Sequence, residues 1–298
     1  MYQAIYRRYR PKTFTQVIGE DDVTNILKNQ VNQNKIGHAY IFTGTRGTGK
    51  TSCAKIMARA VNCLNPIDGN PCNECENCKA IINQSTMDVV EMDAASNRGI
   101  DDIRELRDQV IFPPASLKYK VYIIDEVHML TKEGFNALLK IMEEPPSHLI
   151  FILATTEIEK IPQTILSRCQ RFDFRRIQRE DIAKSIRIIT DDLGVKIDND
   201  ATALIARAAD GALRDAQSLL DQVLAFSDGE ITADIVSASI GSADEVYVFN
   251  LVDEIAKKDE NSSIDLAKKI IEDSGSSELV NSLIQHYENL ILAKVSPK

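Results

Sequence analysis

Through its first 175 or so residues the chain alternates short continuous apolar runs with amphipathic stretches. The runs at 39–43, 87–92, 120–125 and 149–155 are rich in β-branched and aromatic residues. Apolarity that is continuous rather than alternating predicts strands buried on both faces. Between them, 51–63, 100–110 and 131–143 repeat apolar positions at helical spacing. Strands alternating with helices predict an α/β domain over 1–175, a parallel sheet with helices on both faces. Pro113-Pro114 and Pro145-Pro146 mark loops before the third and fourth strands. After Phe174 the strand pattern stops. Helical periods at 180–193, 201–210, 212–226 and 232–239 predict a small helical domain over 176–241, with Asp200 as the expected N-cap of its second helix. Gly241-Ser242 marks a boundary, and helical periods at 245–258, 263–273 and 278–294 fill a third segment, 242–298.

Charge narrows the function. The net charge of −9 means that the surface as a whole cannot act as a polycation, so any nucleic-acid contact needs a local basic patch. The most apolar run, 149–154, is far too short to cross a bilayer. The opening stretch 1–11 is basic (Arg7, Arg8, Arg10) but lacks the apolar segment of a signal peptide. A cytoplasmic location without membrane contact is therefore expected.

Chemistry enters at Gly44-Thr45-Arg46-Gly47-Thr48-Gly49-Lys50-Thr51, which fits G-x-x-x-x-G-K-[ST] between a predicted strand and a predicted helix. Glycines let the backbone N–H groups curl around phosphates, and the helix N-terminus favours the anion. Lys50 is expected on the β- and γ-phosphates and Thr51 on Mg²⁺. The apolar run 121–124 ends in Asp125, expected to hold Mg²⁺, and Glu126, expected to polarise an attacking water. An acidic helix cap is the plainer alternative for that pair. No Asn-Lys-x-Asp signal for guanine is present, which favours ATP.

Four of the six cysteines cluster at Cys63, Cys72, Cys75 and Cys78. Two overlapping C-x-x-C units with a fourth thiol suit a closed tetrahedral metal site of structural character. Pro66, Gly69, Asn70 and Pro71 make the intervening loop tight. Zinc is the favoured ion, with redox cysteines or an iron–sulfur cluster as alternatives. Cys53 and Cys169 read as buried packing residues.

At Asp125-Glu126-Val127-His128 the chain resembles an AAA+ ATPase. Ser167-Arg168-Cys169 resembles the Ser-Arg-Cys motif of clamp-loader subunits, and the four-cysteine insert after the first helix brings the likeness to the bacterial DNA polymerase III tau/gamma family. Tyr9-Arg10-Pro11, Phe14 and Val17-Ile18-Gly19 fit that family's opening, and the resemblance covers residues 1 to 240. It implies a sheet domain, a helical lid and a collar that joins subunits in a ring, with ATP held between sheet and lid near a neighbouring subunit. The collar of the family is larger than the segment after Ala243. The resemblance places Thr156 as a sensor of the γ-phosphate, Arg214 as an arginine coupling lid position to nucleotide, and Arg168 as a finger acting on a neighbour's nucleotide. The plainer alternatives are a strand-end hydroxyl meeting a backbone group, a surface arginine pairing with an acid, and an arginine satisfying loop carbonyls.

The same resemblance places Arg98, Arg104, Lys140 and Thr164 on a face that holds the DNA backbone without reading bases. Asn97 and Gly99 fall where relatives carry basic residues, and Asp101 and Asp108 lie at helical spacing from Arg104. The implied function is an ATP hydrolase of the DNA polymerase III holoenzyme that loads a sliding clamp onto primed DNA with the other clamp-loader subunits. Two alternatives are a non-hydrolysing, ATP-binding structural subunit and an AAA+ branch-migration helicase.

Overall fold

The computed structural model describes residues 3–96, 103, 106, 109–226, 229–240 and 244–295. By internal contacts the chain divides into two compact units, Met1–Ile189 with Ala209–Ser218, and Thr190–Ala208 with Leu219–Lys298.

The first unit is built on a five-stranded sheet: β1 (Ala39–Thr43), β2 (Val89–Asp93), β3 (Lys120–Asp125), β4 (Leu149–Thr155) and β5 (Gln170–Asp173). The order is β2-β3-β4-β1-β5 and every pairing is parallel. Strand alternation feeds two cores. Tyr40, Phe42, Val121, Ile123, Ile150 and Ile152 join one core with the helix Lys50–Asn62 and with Leu27. Ile41, Tyr122, Ile124, Phe151 and Leu153 join the other with Ile103, Leu106 and the helix Lys132–Glu143. Burial on both faces is why β1 and β4 are apolar up to the threonine that ends each.

Two strand readings change. β2 begins at Val89, two residues later than the apolar run suggests, because Asp88 turns aside. Its carboxylate accepts the N–H groups of Ala115 and Ser116 at 2.8 Å and of Leu117 at 3.0 Å. β5 has no counterpart among the expected strands. It is a four-residue edge strand in which only Phe172 is buried, so no apolar run announces it. It forms because β1 offers a free edge, and Phe42 and Phe172 pack edge to face at 5.8 Å.

In the second unit the helices Asn199–Ala208 and Ala233–Ile240 pack together. Their cap is Asp198, not the expected Asp200. Asp198 accepts the Ala201 N–H at 2.5 Å through Oδ1 and the Ala233 N–H at 3.2 Å through Oδ2, serving two helix starts at once. Asp200 lies in the first turn, where its charge still favours the helix dipole. The C-terminal helices Asp244–Lys257, Glu260–Ser274 and Ser276–Val295 close around Val248, Leu251, Ile270 and Leu279. The middle one starts earlier than its apolar period because Asp259 caps it, accepting the Ser262 N–H at 3.1 Å. The expected boundary at 241–242 lies outside the described residues.

Candidate functional site

In an open parallel sheet, ligands bind at the C-terminal strand ends, near where neighbouring connections run in opposite directions. Here β1 connects toward β2 on one side while adjacent β4 connects to β5 on the other. The phosphate loop follows β1, Asp125 ends β3 with Glu126 next, and Thr156 follows β4. Residues remote in sequence thus reach one edge of the sheet.

The loop is held by its own polar groups. Gly44 sits at φ 146°, and a Cβ there would lie 2.3 Å from the Phe174 carbonyl oxygen, so only glycine fits. Thr48 Oγ1 donates to the Thr45 carbonyl at 2.9 Å. Gly49 stands at the N-cap of the helix Lys50–Asn62, whose free N–H groups face the loop. Lys50 is buried, and its Nζ donates to the carbonyls of Gly44 and Thr45, both at 2.8 Å. Burial lowers the Lys50 pKa, while Glu126 and Asp125 act to raise it.

Thr51 Oγ1 donates to Asp125 Oδ2 at 2.8 Å. Two oxygen donors side by side at the end of a buried strand are the hard ligand set that Mg²⁺ takes, alongside water and phosphate oxygens. Glu126 has left-handed backbone, φ 47° and ψ 44°, which turns its carboxylate away from the strand. Its Oε2 accepts from Thr156 Oγ1 at 3.0 Å and lies 3.4 Å from His128 Nδ1. His128 is almost fully enclosed: Nδ1 is 3.0 Å from Thr155 Oγ1, and Nε2 is 3.1 Å from Glu157 Oε1. The imidazole therefore bridges the residue after β3 to the loop after β4. Thr156 meets a carboxylate, and it is Thr155 that meets a backbone group, the Glu157 N–H at 3.0 Å.

A cavity of about 1060 Å³ opens here. Arg46, Gly47, Thr48, Gly49, Lys50, Thr51, Asp125, Glu126 and Arg214 line it, as expected for a shared site, and all belong to the first unit. Much of its remaining wall comes from the opening segment, for which no role in the site was expected. Tyr6 lies under Arg214, with the guanidinium carbon 5.0 Å from the ring centroid. Arg10 donates from Nε to Ser52 Oγ at 3.0 Å. Burial lowers the Arg10 pKa against the opposing pull of Glu91 and Asp125. Gln217 and the stretch 15–18 complete the wall. Only the opening motif around Arg10 hinted at this surface, and His128 ended the motif 125–128 without an assigned role.

Arg168 does not line the cavity. Its Nη1 donates to the Thr164 carbonyl at 2.9 Å and its Nη2 lies 3.4 Å from Glu143 Oε1. Lys140 and Thr164 are exposed. Arg98 and Arg104, with Asn97, Gly99, Asp101 and Asp108, lie outside the described residues.

The four cysteines do converge. The Sγ atoms of Cys63, Cys72, Cys75 and Cys78 all lie within 4.8 Å of one another. Zn–S bonds of about 2.3 Å place tetrahedral sulfurs about 3.8 Å apart, so these residues fit that ion with a small contraction. Backbone N–H groups point at the sulfurs: Cys72 N to Cys63 Sγ and Cys75 N to Cys72 Sγ, both at 3.3 Å. Burial opposes the Cys72 thiolate, but the N–H groups of Glu74 and Cys75 and the thiols of Cys63 and Cys75 outweigh it and draw its pKa down to about 6. Burial raises Cys63 and Cys78. Cys53 is fully buried, and Cys169 is partly buried with its thiol pushed up to about 12.

Sheet order, phosphate loop and paired acids together define a P-loop module of the AAA+ type. A family profile described as DNA polymerase III, delta subunit, matches residues 19–178, and one described as DNA polymerase III clamp loader subunit, ATPase lid domain, matches 181–229. DNA polymerase III subunit tau of Bacillus subtilis (strain 168) is 46% identical over 298 residues, 99% of this chain and 53% of that protein. The Escherichia coli (strain K12) protein of the same name is 44% identical over 254 residues, 85% of this chain and 39% of that one. Among solved structures, the Thermotoga maritima RuvB Holliday junction branch migration motor superposes with a TM-score of 0.57 at 20% identity, covering 84% of this chain and 80% of its own. At that identity the likeness concerns the fold alone. The chain belongs to the tau/gamma family of bacterial DNA polymerase III clamp-loader subunits. It spans about half the length of the Bacillus relative and less of the Escherichia one. Among the described residues no helix is long and apolar enough to cross a membrane.

Proposed function

We propose that this chain binds ATP with Mg²⁺ in the cavity and hydrolyses it as the motor subunit of a clamp loader, driving a ring-shaped sliding clamp onto primed DNA. The observation that carries this reading is the meeting of Thr51 with Asp125 at 2.8 Å, with Lys50 and Glu126 lining the same cavity. Water attacks the γ-phosphorus, its proton passes to Glu126, and the bond to the β-phosphate's bridging oxygen breaks, leaving ADP and phosphate. Thr51 and Asp125 would hold Mg²⁺, which when bound neutralises charge on the phosphate oxygens. Thr156 and His128 orient Glu126, Lys50 holds the β- and γ-phosphates, and Arg214 reads the nucleotide from the start of its helix. Arg168, outside this cavity, serves a neighbouring subunit's nucleotide. Cys63, Cys72, Cys75 and Cys78 hold a structural zinc ion. Other clamp-loader subunits, the clamp and the backbone of primer–template DNA, met at Arg98, Arg104, Lys140 and Thr164, are the partners, in the cytoplasm.

The test is steady-state ATP hydrolysis with and without clamp and primed DNA, in the presence of the remaining loader subunits. Stimulation that vanishes in Lys50→Ala supports the motor. The chain alone should hydrolyse slowly, since Arg168 then has no neighbour to serve. ATP binding without turnover in the complete mixture would instead favour a structural subunit that uses ATP as a switch.

A further inference from the structure

The four-cysteine insert grips more than itself. Between Cys63 and Cys72 the chain makes a two-residue hairpin, in which Ile67 and Asn70 exchange backbone hydrogen bonds at 3.0 and 2.9 Å. Asp68 and Gly69 both have positive φ, 46° and 72°, the conformation an Asp-Gly turn adopts. The turn tip is pressed against the helix Asp21–Asn32: a Cβ on Gly69 would lie 2.5 Å from the Lys28 carbonyl oxygen. Two asparagines flanking Cys72 then reach back to the chain's opening segment. Asn70 Oδ1 accepts the N–H of fully buried Phe14 at 2.8 Å. Asn73 Nδ2 donates to the Lys12 carbonyl at 3.2 Å, while its Oδ1 accepts from Arg59 Nε at 3.1 Å. Arg59, itself buried, donates from Nη2 to the same Lys12 carbonyl at 3.1 Å. Lys12, Thr15, Gln16 and Val17 belong to the wall of the nucleotide cavity.

We propose that Asn70 and Asn73 are positioning residues for nucleotide binding, which carry the closed state of the four-thiolate site to the 12–17 wall. The inference rests on the ATP-binding reading above. So short a loop has no core of its own, and its fixed shape depends on the sulfurs being tied together. With the thiolates joined through an ion, Asn70 and Asn73 are held where Phe14 and Lys12 need them. With the ion removed, the loop regains conformational freedom and those bonds are lost. The buried Phe14 N–H then has to move to find another acceptor, taking the wall with it.

The experiment uses the full chain, zinc-loaded or stripped with a mercurial and chelator and then returned to Mg²⁺ buffer with both agents removed. A fluorescent ADP analogue reports affinity, and hydrogen exchange reports the backbone of 11–17. Stripping should weaken ADP binding about tenfold and speed exchange across 11–17. A double variant, Asn70→Ala with Asn73→Gly (glycine keeps the positive φ of 59°), should retain one zinc per chain, bind ADP about tenfold more weakly and lose nothing further on stripping. Should Asn70→Ala prevent folding, Asn73→Gly alone should show a smaller loss of the same kind. Unchanged affinity and exchange in the stripped wild type would make the insert a local staple and overturn the proposal. An equal further loss on stripping the double variant would overturn the role of the two asparagines. Zinc-loaded wild type that binds no ADP would instead defeat the nucleotide reading; faster exchange at 11–17 on stripping would then show the brace itself intact.

Discussion

Two places in this chain bring together side chains able to ligate a cation, and they do so in opposite ways. The cysteine insert draws four soft sulfurs from one short stretch, within 4.8 Å of one another, with no position left open. The nucleotide site draws hard oxygens from Thr51 and Asp125, 74 residues apart, which meet at 2.8 Å only because the sheet brings the ends of β1 and β3 to the same edge. Local spacing yields a set of four thiols that would close a tetrahedral site by themselves. Long-range assembly leaves one side free, where a reaction can take place, and it recruits groups such as Arg10 and His128 to which the sequence reading gave no role of their own.

The contrast can be broken most forcefully at Glu126. Glu126→Gln should lower hydrolysis about 10²- to 10⁴-fold while leaving nucleotide binding in place; retained turnover would remove Glu126 from the chemistry. Next comes the zinc ion proposed for the insert. Stripping it from a zinc concentration of 100 times Kd should reduce stability by about 2.7 kcal/mol, measured by urea unfolding, with the sheet still folded and its amides still protected. A collapse of protection across β1 and β3 would mean that the two centres are not independent folding elements.

A third test concerns a buried acid in the unit that holds the sheet. Glu20 is buried and accepts the Arg175 N–H at 2.7 Å, and burial raises its pKa from 4.5 to about 7. Between those values the folded state binds more protons than the unfolded state. Stability from this group is therefore complete below pH 4.5 and declines as pH rises toward 7, by about 3 kcal/mol. Glu20→Gln keeps an acceptor for Arg175 and should erase that slope in unfolding titrations. The smallest effect is expected at His128: His128→Ala should slow hydrolysis about tenfold through a lower kcat with little change in nucleotide affinity. A change in affinity alone would show that the imidazole does not act through Glu126.

The legibility of each region follows the range of its interactions. The phosphate loop was readable from its glycine and lysine spacing, and β1, β3 and β4 because a parallel strand covered on both faces is apolar through its middle. The cysteines were readable because thiolate spacing is itself the geometry. β5 was not, since an edge strand with one buried residue has no periodic signal. Asp200 looked like a cap from its place before an apolar run, whereas Asp198 is the residue that also reaches Ala233 across a fold the local sequence does not encode. β2 was read two residues early because Asp88, adjoining an apolar run, is engaged by three N–H groups from 115–117.

By itself the sequence determined the composition of both centres: a Gly-rich loop ending in Lys50-Thr51, an acid pair after an apolar strand, and four thiols at metal-binding spacing. Those features depend on residue type and short separations, which a linear chain records directly. Only the tertiary structure decided that Thr156 and His128 converge on Glu126, that Tyr6, Arg10 and Arg214 share one wall, and that the insert reaches Lys12 and Phe14. These contacts join single polar side chains from separate elements. Their partners are selected by strand order and helix packing, which depend on the whole apolar core rather than on any one stretch of sequence.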